Sequence, residues 1–441
     1  MAFQALIALA ALANVQPPEA VERWRQDVAV ARSDFLSKDL SYTDETRAQA
    51  RHRLDQLTKQ LPALTDQQIV AELARVAALA GNGHTRAYLL RNRGWWRRYP
   101  IRIWKFSDGW HVVAVRPGNE EMLGARIVTI AGKAVQAAED AVAPLYAGPP
   151  TWRSYMASYS LTSPDALLGT GVLGGGGSVA LGLEKDKRRF AATLAPVDEP
   201  KRQVPEESWW FLSPAHPATE KWTHVLAGRA LPTSLKRPNA WYDFRMCGGN
   251  IYYLSFNRAE DQPGQATLAS FGQRVLEQIA AAPQARLVID LRYNTGGNLQ
   301  KTQGFFQNLA KSQVGQTRGR LFVIVGPSTF SAGITPVAIL KQDGKPVLVG
   351  TSPGDHSEFW AEGGNVVLPN SGINLHYADR AHVYAPGRRS IAESLVYLRL
   401  NGGSLKPDRP AALSFRDYVR GIDPAAEKIE PKGLQCAESA K

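Results

Sequence analysis

The sequence predicts an α/β protein in which a mostly parallel sheet follows a helical first region and a β-rich middle region. From position 249 onward, apolar runs of strand length alternate with amphipathic runs of helical length. Between positions 99 and 135, polar and apolar residues alternate with a period of two. Earlier in the chain, apolar residues recur at helical spacing. Continuous Val, Ile and Leu runs separated by helices are typical of parallel strands covered on both faces.

The first region, 1–90, is predicted to be helical. Its segment 64–81 combines apolar residues at helical spacing with a capping Thr65 and a terminating Gly81. The glycine turn GNGHT follows and contains His84. A helix and a tight turn therefore precede the first strands.

The first 14 residues form a short apolar run that ends in small residues. About a dozen apolar residues are too few to cross a bilayer, and ALAN resembles a signal-peptide cleavage site. The positively charged start of a signal peptide is absent, so a signal remnant and an ordinary first helix are both compatible with the sequence. We favour the signal remnant, and with it a periplasmic or secreted bacterial protein.

The middle region, 91–240, is predicted to be β-rich. Its strands are YPIRIWKF, WHVVAVRP and ARIVTIAGKAV, with turn residues between them. The third region, 241–430, has the strands NIYYLSFN, ARLVIDLR, RLFVIVG and KPVLVG. Its helices are ATLASFGQRVLEQIAA, LQKTQGFFQNLAKS and GITPVAILKQ. A short tail, 431–441, completes the chain.

Composition restricts the class of protein. The chain has 441 residues, of which 44% are hydrophobic and 21% charged, as expected for a folded protein of two or three domains. A formal charge of +12 suits an acidic partner such as nucleic acid or an anionic envelope surface. No basic run is interleaved with aromatic residues, so we expect no nucleic-acid partner and favour a solvated basic surface. Contact with an anionic envelope surface stays open.

The chain has two cysteines, Cys247 and Cys436. They are too few for a disulfide framework, and neither has a CxxC metal spacing. One bridge between them and two unrelated thiols are both compatible with the sequence.

Two turns in the third region contain the residues with the clearest chemical potential. VIDLRYNTGGN, 288–298, is a buried strand followed by a glycine turn, and PSTFSAG, 327–333, follows the next strand. Ser331 stands where a helix should begin, so its hydroxyl could be a nucleophile favoured by the free N–H groups of the helix start. It could equally be a helix cap, although Ser328 and Thr329 compete for that role.

Backbone amides beside Ser331 could stabilise an oxyanion. The Ala332 amide is well placed for this, and an amide of Gly296 or Gly297 could be the second donor because glycine allows a substrate carbonyl to approach the backbone. A plain strand-to-helix turn is the competing interpretation. We expect Asp290 and Arg292 to form a structural pair.

A nucleophilic serine needs a base, and the chain has eight histidines. We select His84, in its glycine turn, and keep His356, which follows Ser331 after another glycine turn, as its rival. His376 and His382 lie in strand-like segments and are expected to be structural. HExxH and comparable ligand spacings are absent from the sequence, so we expect no metal and no other cofactor.

Five segments in succession resemble the carboxyl-terminal-processing (tail-specific) protease family, in particular its tricorn-core-like branch. They are VIDLRYNTGGN, VGPSTFSAG, VLVGTSPGD, VVLPNSGINLHY and LKPDRP…DYVRGIDPAAE, and GNGHT resembles the family's Asp-Gly-His-Thr turn. The resemblance covers about 249–427 and implies a crotonase-like ββα spiral for the catalytic domain. LGARIVTIAGKAV resembles the second half of a PDZ-like module.

The resemblance also implies roles for individual residues. Ser331 matches the nucleophile, Gly296 or Gly297 and Ala332 match the oxyanion hole, and His84 matches the general base of the tricorn-like branch. The Ser-Lys branch has a lysine at the position of His356 here, so that dyad is absent.

The acidic residue that would orient His84 has no assigned position. Its candidates are Glu358, Glu362 and Glu393. The sequence thus predicts a serine endopeptidase or carboxyl-terminal-processing protease that acts on peptides or proteins. The alternative is an inactive relative that binds apolar ligands or peptides in the same cleft. The binding hypothesis and the catalytic one are separated by whether a fluorophosphonate probe labels Ser331.

Overall fold

A computed structural model describes residues 16–91, 96–197, 206–248, 250–385 and 391–437. The signal-like residues 1–14 lie outside this range. Among the described helices, none combines the length and the apolar character that a membrane crossing requires.

Helices form a cluster near the start of the chain and then cover the sheets. The first helix continues through a π-helical segment, Ala31–Phe35, into the second. The α-helices are α1 Pro18–Val30, α2 Leu36–Lys38, α3 Asp44–Gln60, α4 Asp66–Ala78, α5 Val135–Val142, α6 Pro150–Ser160, α7 Pro164–Gly169, α8 Leu268–Ala281, α9 Gln300–Lys311, α10 Gln313–Gln316, α11 Thr335–Asp343, α12 Phe415–Val419 and α13 Pro424–Glu427.

The strands form two large sheets and two small ones. They are β1 Arg86–Ala87, β2 Ile101–Phe106, β3 Gly109–Val115, β4 Arg126–Ile130, β5 Lys133–Ala134, β6 Val179–Lys185, β7 Arg188–Leu194, β8 Thr223–His224, β9 Tyr242–Cys247, β10 Ile251–Phe256, β11 Arg286–Asp290, β12 Leu321–Val325, β13 Val347–Gly350, β14 Glu358–Ala361, β15 Gly364–Val367, β16 Asn374–Tyr377, β17 Arg380–Val383, β18 Val396–Arg399 and β19 Arg409–Pro410.

The predicted helix after the first sixty residues is confirmed. It is α4, and the side chain of Thr65 accepts the Gln68 N–H while the Gln68 side chain accepts the Thr65 N–H. This capping box satisfies two amides that the first helical turn leaves free. The helix buries one apolar face, and the chain leaves it at Gly81 in a left-handed conformation with φ of 69°.

The third region contains a six-stranded sheet in the order β19-β13-β12-β11-β10-β9. Its strands are parallel except for β9, which pairs antiparallel with β10. The strands β10 to β13 and the helices α8, α9 and α11 confirm the predicted alternation. Leu287 and Ile289 point to one buried layer and Val288 to another, so both faces of the sheet are covered.

The middle region contains an antiparallel seven-stranded sheet together with the helices α5 to α7. Its main path is β2-β3-β4-β6-β7, with β5 paired to β4 and β8 paired to β3. There are also two smaller three-stranded sheets, β1-β16-β15 and β14-β17-β18. The first of them joins the early chain to the late chain, because Arg86 pairs with His376.

The two cysteines are joined. Cys247, the last residue of β9, forms a disulfide with Cys436, and the two residues also pair as a β-bridge. The bridge ties the tail to the edge of the six-stranded sheet, across a sequence separation of 189 residues. The fold as a whole is a mixed α/β fold with several sheets.

Candidate active site

Ser331 lies on the turn between β12 and α11. It begins a 3-10 turn, Ser331–Gly333, and has a positive φ of 58°. A non-glycine residue in this left-handed region is strained by about 1–3 kcal/mol, and such strain is concentrated at functional sites. Its hydroxyl has no hydrogen-bond partner among the described residues, and the side chain is only half-buried. The nucleophile candidate thus has a free hydroxyl on a strained turn.

Ser331 does not act as a helix cap. Its side chain caps neither the 3-10 turn nor α11. The neighbouring hydroxyls hold the turn instead, because Ser328 Oγ donates to Arg292 O at 2.8 Å and Thr329 Oγ1 donates to Leu291 O at 2.9 Å. Ser331 is therefore free of the structural task that its neighbours perform.

The glycine turn after β11 lies directly against Ser331. A methyl group at Gly296 would lie 2.8 Å from Ser331 Cβ and 3.3 Å from Ala332 N. The Gly296 N–H is already donated to Asn294 Oδ1 at 2.9 Å. The amides of Gly297 and Ala332 have no acceptor among the described residues. Of the two glycines that the sequence indicated, Gly297 is thus the one with a free donor.

Asn294 fixes the position of both turns. Besides accepting the Gly296 N–H, its side chain donates to Phe256 O at 2.9 Å. Its backbone oxygen accepts the Phe330 N–H at 3.0 Å. The residue is completely buried, so the two strand-to-helix turns are held to each other by hydrogen bonds that water cannot reach.

His84 reaches the site from the early part of the chain. It lies just before β1, and the pairing of β1 with β16 places the GNGHT turn beside the late sheets. Its ring stacks between Phe330, at a centroid distance of 4.5 Å, and Phe359, at 5.3 Å. The imidazole is buried between two apolar faces, and this burial lowers the pKa of His84 well below its usual 6.5.

Asp355 connects the histidine to the serine. Its Oδ2 lies 3.1 Å from His84 Nε2 and accepts the Ser331 N–H at 3.3 Å. Its Oδ1 accepts the His356 N–H at 3.0 Å. The Asp355 side chain is fully buried, and this burial raises the pKa of its carboxyl to about 7. Burial therefore disfavours the charged form of both groups in this pair.

His84 and Ser331 are therefore connected by hydrogen bonds through the carboxyl group of Asp355. In the described part of the chain, no direct hydrogen bond links the ring of His84 to the Ser331 hydroxyl. Both residues instead contact one oxygen of Asp355, which holds them on the same side of the site. Catalytic hydrogen bonds are often long in the absence of substrate and tighten when it binds.

The rival base and the acidic candidates have other positions. His356 is exposed, with only its backbone N–H bonded to Asp355. Glu362 Oε1 lies 3.2 Å from His382 Nε2, and Glu393 pairs with Arg399 at the surface. The carboxylate beside His84 is Asp355. Asp355 is the last residue of VLVGTSPGD, one of the five segments that resemble the protease family. Its position in that segment is the one signal in the sequence that could have indicated a role for it.

Other residues of the same motifs are structural. Arg292 pairs with Asp290 at 2.8 Å and with Asp423 at 2.9 Å, which confirms the expected pair and extends it. His376 contacts Asn365 and stacks on Tyr88. No group of three or more His, Cys, Asp or Glu suited to a metal ion occurs among the described residues.

A cavity of about 360 Å³ opens in front of the nucleophile. It is bounded by both turns and by the small sheet β14-β17-β18. The residues that line it are Gly297, Asn298, Leu299, Gln300, Ser331, Ala332, Phe359, Ala361, Glu362, His382 and Tyr397. A peptide that enters it would meet the hydroxyl and the free amides together.

No protein-family model matches the chain, and no curated protein matches it in sequence. Solved structures are similar in shape. Mature CPAF superposes with a TM-score of 0.53 at 13% identity, covering 93% of this chain and 96% of that one. Its complex with lactacystin gives a TM-score of 0.55 at 13% identity, covering 94% and 98%.

The photosystem II D1 C-terminal processing protease gives a TM-score of 0.39 at 15% identity, covering 95% of this chain and 96% of that one. At such identities the comparison with mature CPAF, whose TM-score exceeds one half, establishes the fold and nothing beyond it. The resemblance drawn from the motifs is thus confirmed at the level of fold: the chain shares with mature CPAF a mixed α/β architecture of several sheets over nearly the whole of both chains.

Proposed function

We propose that the protein is a serine peptidase that hydrolyses peptide bonds. The observation that supports this most is the strained Ser331 with an unengaged hydroxyl, set against the free amides of Gly297 and Ala332. His84 and Asp355 complete the set. A nucleophile, two oxyanion donors, a base and a carboxylate are the groups that acyl transfer needs.

The proposed reaction has two halves. Ser331 Oγ attacks the scissile carbonyl while His84 accepts its proton, and the oxyanion of the tetrahedral intermediate accepts hydrogen bonds from Gly297 and Ala332. His84 then returns the proton to the leaving amine. Water attacks the acyl-enzyme by the same route and releases the second product. Each amide donor is worth about 3–4 kcal/mol of transition-state stabilisation.

Asp355 has a positioning role in this scheme. The ionised carboxylate of Asp355 accepts a hydrogen bond from a ring N–H of His84 and stabilises the imidazolium that forms during attack. We propose that a rotation of the His84 side chain on substrate binding brings the ring into hydrogen-bond contact with Ser331 Oγ. The His84 ring and the Ser331 N–H already contact the same oxygen of Asp355.

The test is covalent labelling with a fluorophosphonate probe. We expect the wild-type protein to be labelled at Ser331, and Ser331→Ala to lose both labelling and peptide turnover, by about 10⁴-fold or more. Ser328→Ala is the matched control, because its hydroxyl is three residues away and bonded to the backbone. Labelling that persists undiminished in Ser331→Ala would refute the proposal and favour the binding alternative.

Finer features of the molecule are proposed on the same basis. We propose a crotonase-like ββα spiral over 241–430, a PDZ-like module within 91–240, a helical region over 1–90 and a tail over 431–441. The parallel sheet with its crossing helices supports the spiral. The Cys247–Cys436 disulfide supports an oxidising location such as the periplasm or the exterior. The net charge of +12 is compatible with an anionic envelope surface nearby.

A further inference from the structure

The cavity in front of Ser331 has one fixed charge. Of the residues that line it, Glu362 is the sole carboxylate, and none is a lysine or an arginine. His382 is the sole titratable base among them. The one carboxylate of this lining gives the cavity a local negative charge, although the chain as a whole has a formal charge of +12.

Glu362 is held in place and remains partly accessible. Its Oε1 is bonded to His382 Nε2 at 3.2 Å, and the other ring nitrogen of His382 contacts the Tyr384 hydroxyl at 3.0 Å. That hydroxyl contacts Thr335 Oγ1 at 2.8 Å, on the helix that follows Ser331. Meanwhile 41% of the Glu362 side chain stays exposed, and its Oε2 has no hydrogen-bond partner in the described residues.

Three further features of the site accompany the free carboxylate oxygen. Glu362 has a positive φ of 56°, a strained conformation for a residue with a side chain. The hydrogen bond from His382 lowers the pKa of Glu362, so its carboxylate is ionised at neutral pH. The ring of Tyr397 also lines the cavity and is 38% exposed, which gives a cation an aromatic face as well as a carboxylate.

We propose that this cavity binds a cationic group of the substrate, namely a lysine or arginine side chain next to the scissile bond, through Glu362. The inference rests on the proposed peptidase function and adds a substrate class to it. A carboxylate with one oxygen fixed by His382 and one free is preorganised for a charge-assisted hydrogen bond. An acidic side chain in the same place would meet a like charge and is excluded.

The test uses acetylated fluorogenic peptides that differ in one residue beside the scissile bond, which is Lys, Gln or Glu. We expect kcat/KM to favour Lys over Gln by about tenfold, and Gln over Glu. In Glu362→Gln the Lys-to-Gln ratio should fall to about one, and in Glu362→Lys the Glu peptide should become the preferred one. Using the ratio within each variant removes any general effect on turnover.

Glu393→Gln is the matched control, because Glu393 is a surface carboxylate paired with Arg399 and does not line the cavity. It should keep the wild-type preference. A further peptide with a free amino terminus and no charged side chain tests the other source of positive charge. If its kcat/KM exceeds that of its acetylated form, and the excess disappears in Glu362→Gln, the site binds the α-amino group of the substrate and the proposal of a lysine or arginine side chain is wrong.

A second measurement does not need turnover. In a Ser331→Ala background, the Lys peptide should bind about tenfold more tightly than the Gln peptide, and adding Glu362→Gln should remove the difference. A wild-type protein without a charge preference, or a preference that survives Glu362→Gln, would overturn the inference. In that case Ser331 would still react with the fluorophosphonate probe if the peptidase proposal holds, so the two failures are distinguishable.

Discussion

The nucleophile side and the base side of the site are built in different ways. Ser331 and the glycine turn follow adjacent strands of one sheet, β12 and β11, whose residues pair in register. His84 and Asp355 are separated by 271 positions in the chain and meet only because β1 pairs with β16. The first side follows from local strand-turn-helix sequence, whereas the second depends on long-range packing.

This difference affects how each side is kept in place. Backbone hydrogen bonds through the buried Asn294 fix the nucleophile turns. On the base side, aromatic stacking holds the histidine. Rings of Trp152, Phe330, His84, Phe359 and His382 stack in succession, at centroid distances of 3.8, 4.5, 5.3 and 4.7 Å. Ring contacts between separate elements therefore position His84, whereas backbone hydrogen bonds position the turns of Ser331 and Gly296.

The substitution expected to reduce activity most is the replacement of His84, the proposed base. We expect His84→Gln to lower kcat/KM for peptides by about 10⁴-fold, because His84 is the group proposed to accept the serine proton. His356→Gln, the exposed rival, should stay within about twofold of wild type, as expected for a surface change. Steady-state kinetics on one peptide measures both.

Activity that survives in His84→Gln would mean that the base lies elsewhere. His382, which lines the same cavity, would then be the residue to substitute next. The long-range half of the site would in that case be structural, and the contrast between the two halves would disappear.

The next effect concerns pH. Asp355 must be ionised to stabilise the imidazolium, and its pKa is raised to about 7 by burial. Activity of the wild type should therefore rise as pH increases through about 7. The apparent pKa of this rise belongs to the His84–Asp355 pair and not to either residue alone. Asp355→Asn should lower kcat/KM by about 10³-fold at pH 8 and abolish this limb of the profile.

The substitution Asp355→Asn also tests stability, for which the expected pH dependence is opposite to that of activity. Because the folded pKa of about 7 exceeds the usual 3.8, the native state binds more protons than the unfolded state between these values. The contribution of Asp355 to the free energy of unfolding is therefore lost as pH rises across this window. Urea unfolding at several pH values should show that slope in the wild type and a smaller one in Asp355→Asn, and equal slopes would contradict the assignment.

The smallest effect concerns the local half of the site. Gly296→Ala should lower kcat/KM by about 10²-fold, because the new methyl group would lie 2.8 Å from Ser331 Cβ and displace the nucleophile. Gly264→Ala is the control: its φ of 74° is also positive, but nothing lies within 4 Å of the added methyl group. A loss of activity that is equal in the two variants would show that backbone strain, and not displacement of Ser331, is responsible.

The sequence predicted much of the fold and half of the site. The alternation of apolar runs predicted the strands β10 to β13 and the helices between them, because burial imposes a period on the sequence. The motifs PSTFSAG and VIDLRYNTGGN placed Ser331, Gly297 and Ala332 on adjoining turns. The choice between Gly296 and Gly297 could not be made, since it depends on a single hydrogen bond that the Gly296 N–H donates to Asn294 Oδ1.

By itself, the sequence determined the order of elements, the exposed serine turn and the glycine turn beside it, because these follow from local spacing and backbone freedom. Only the tertiary structure decided that Asp355 is the carboxylate beside His84, that Cys247 and Cys436 are joined, and that Glu362 lines the same cavity as Ser331. These contacts join residues far apart in the chain. Their formation depends on how whole sheets pack, which no local pattern of residues records.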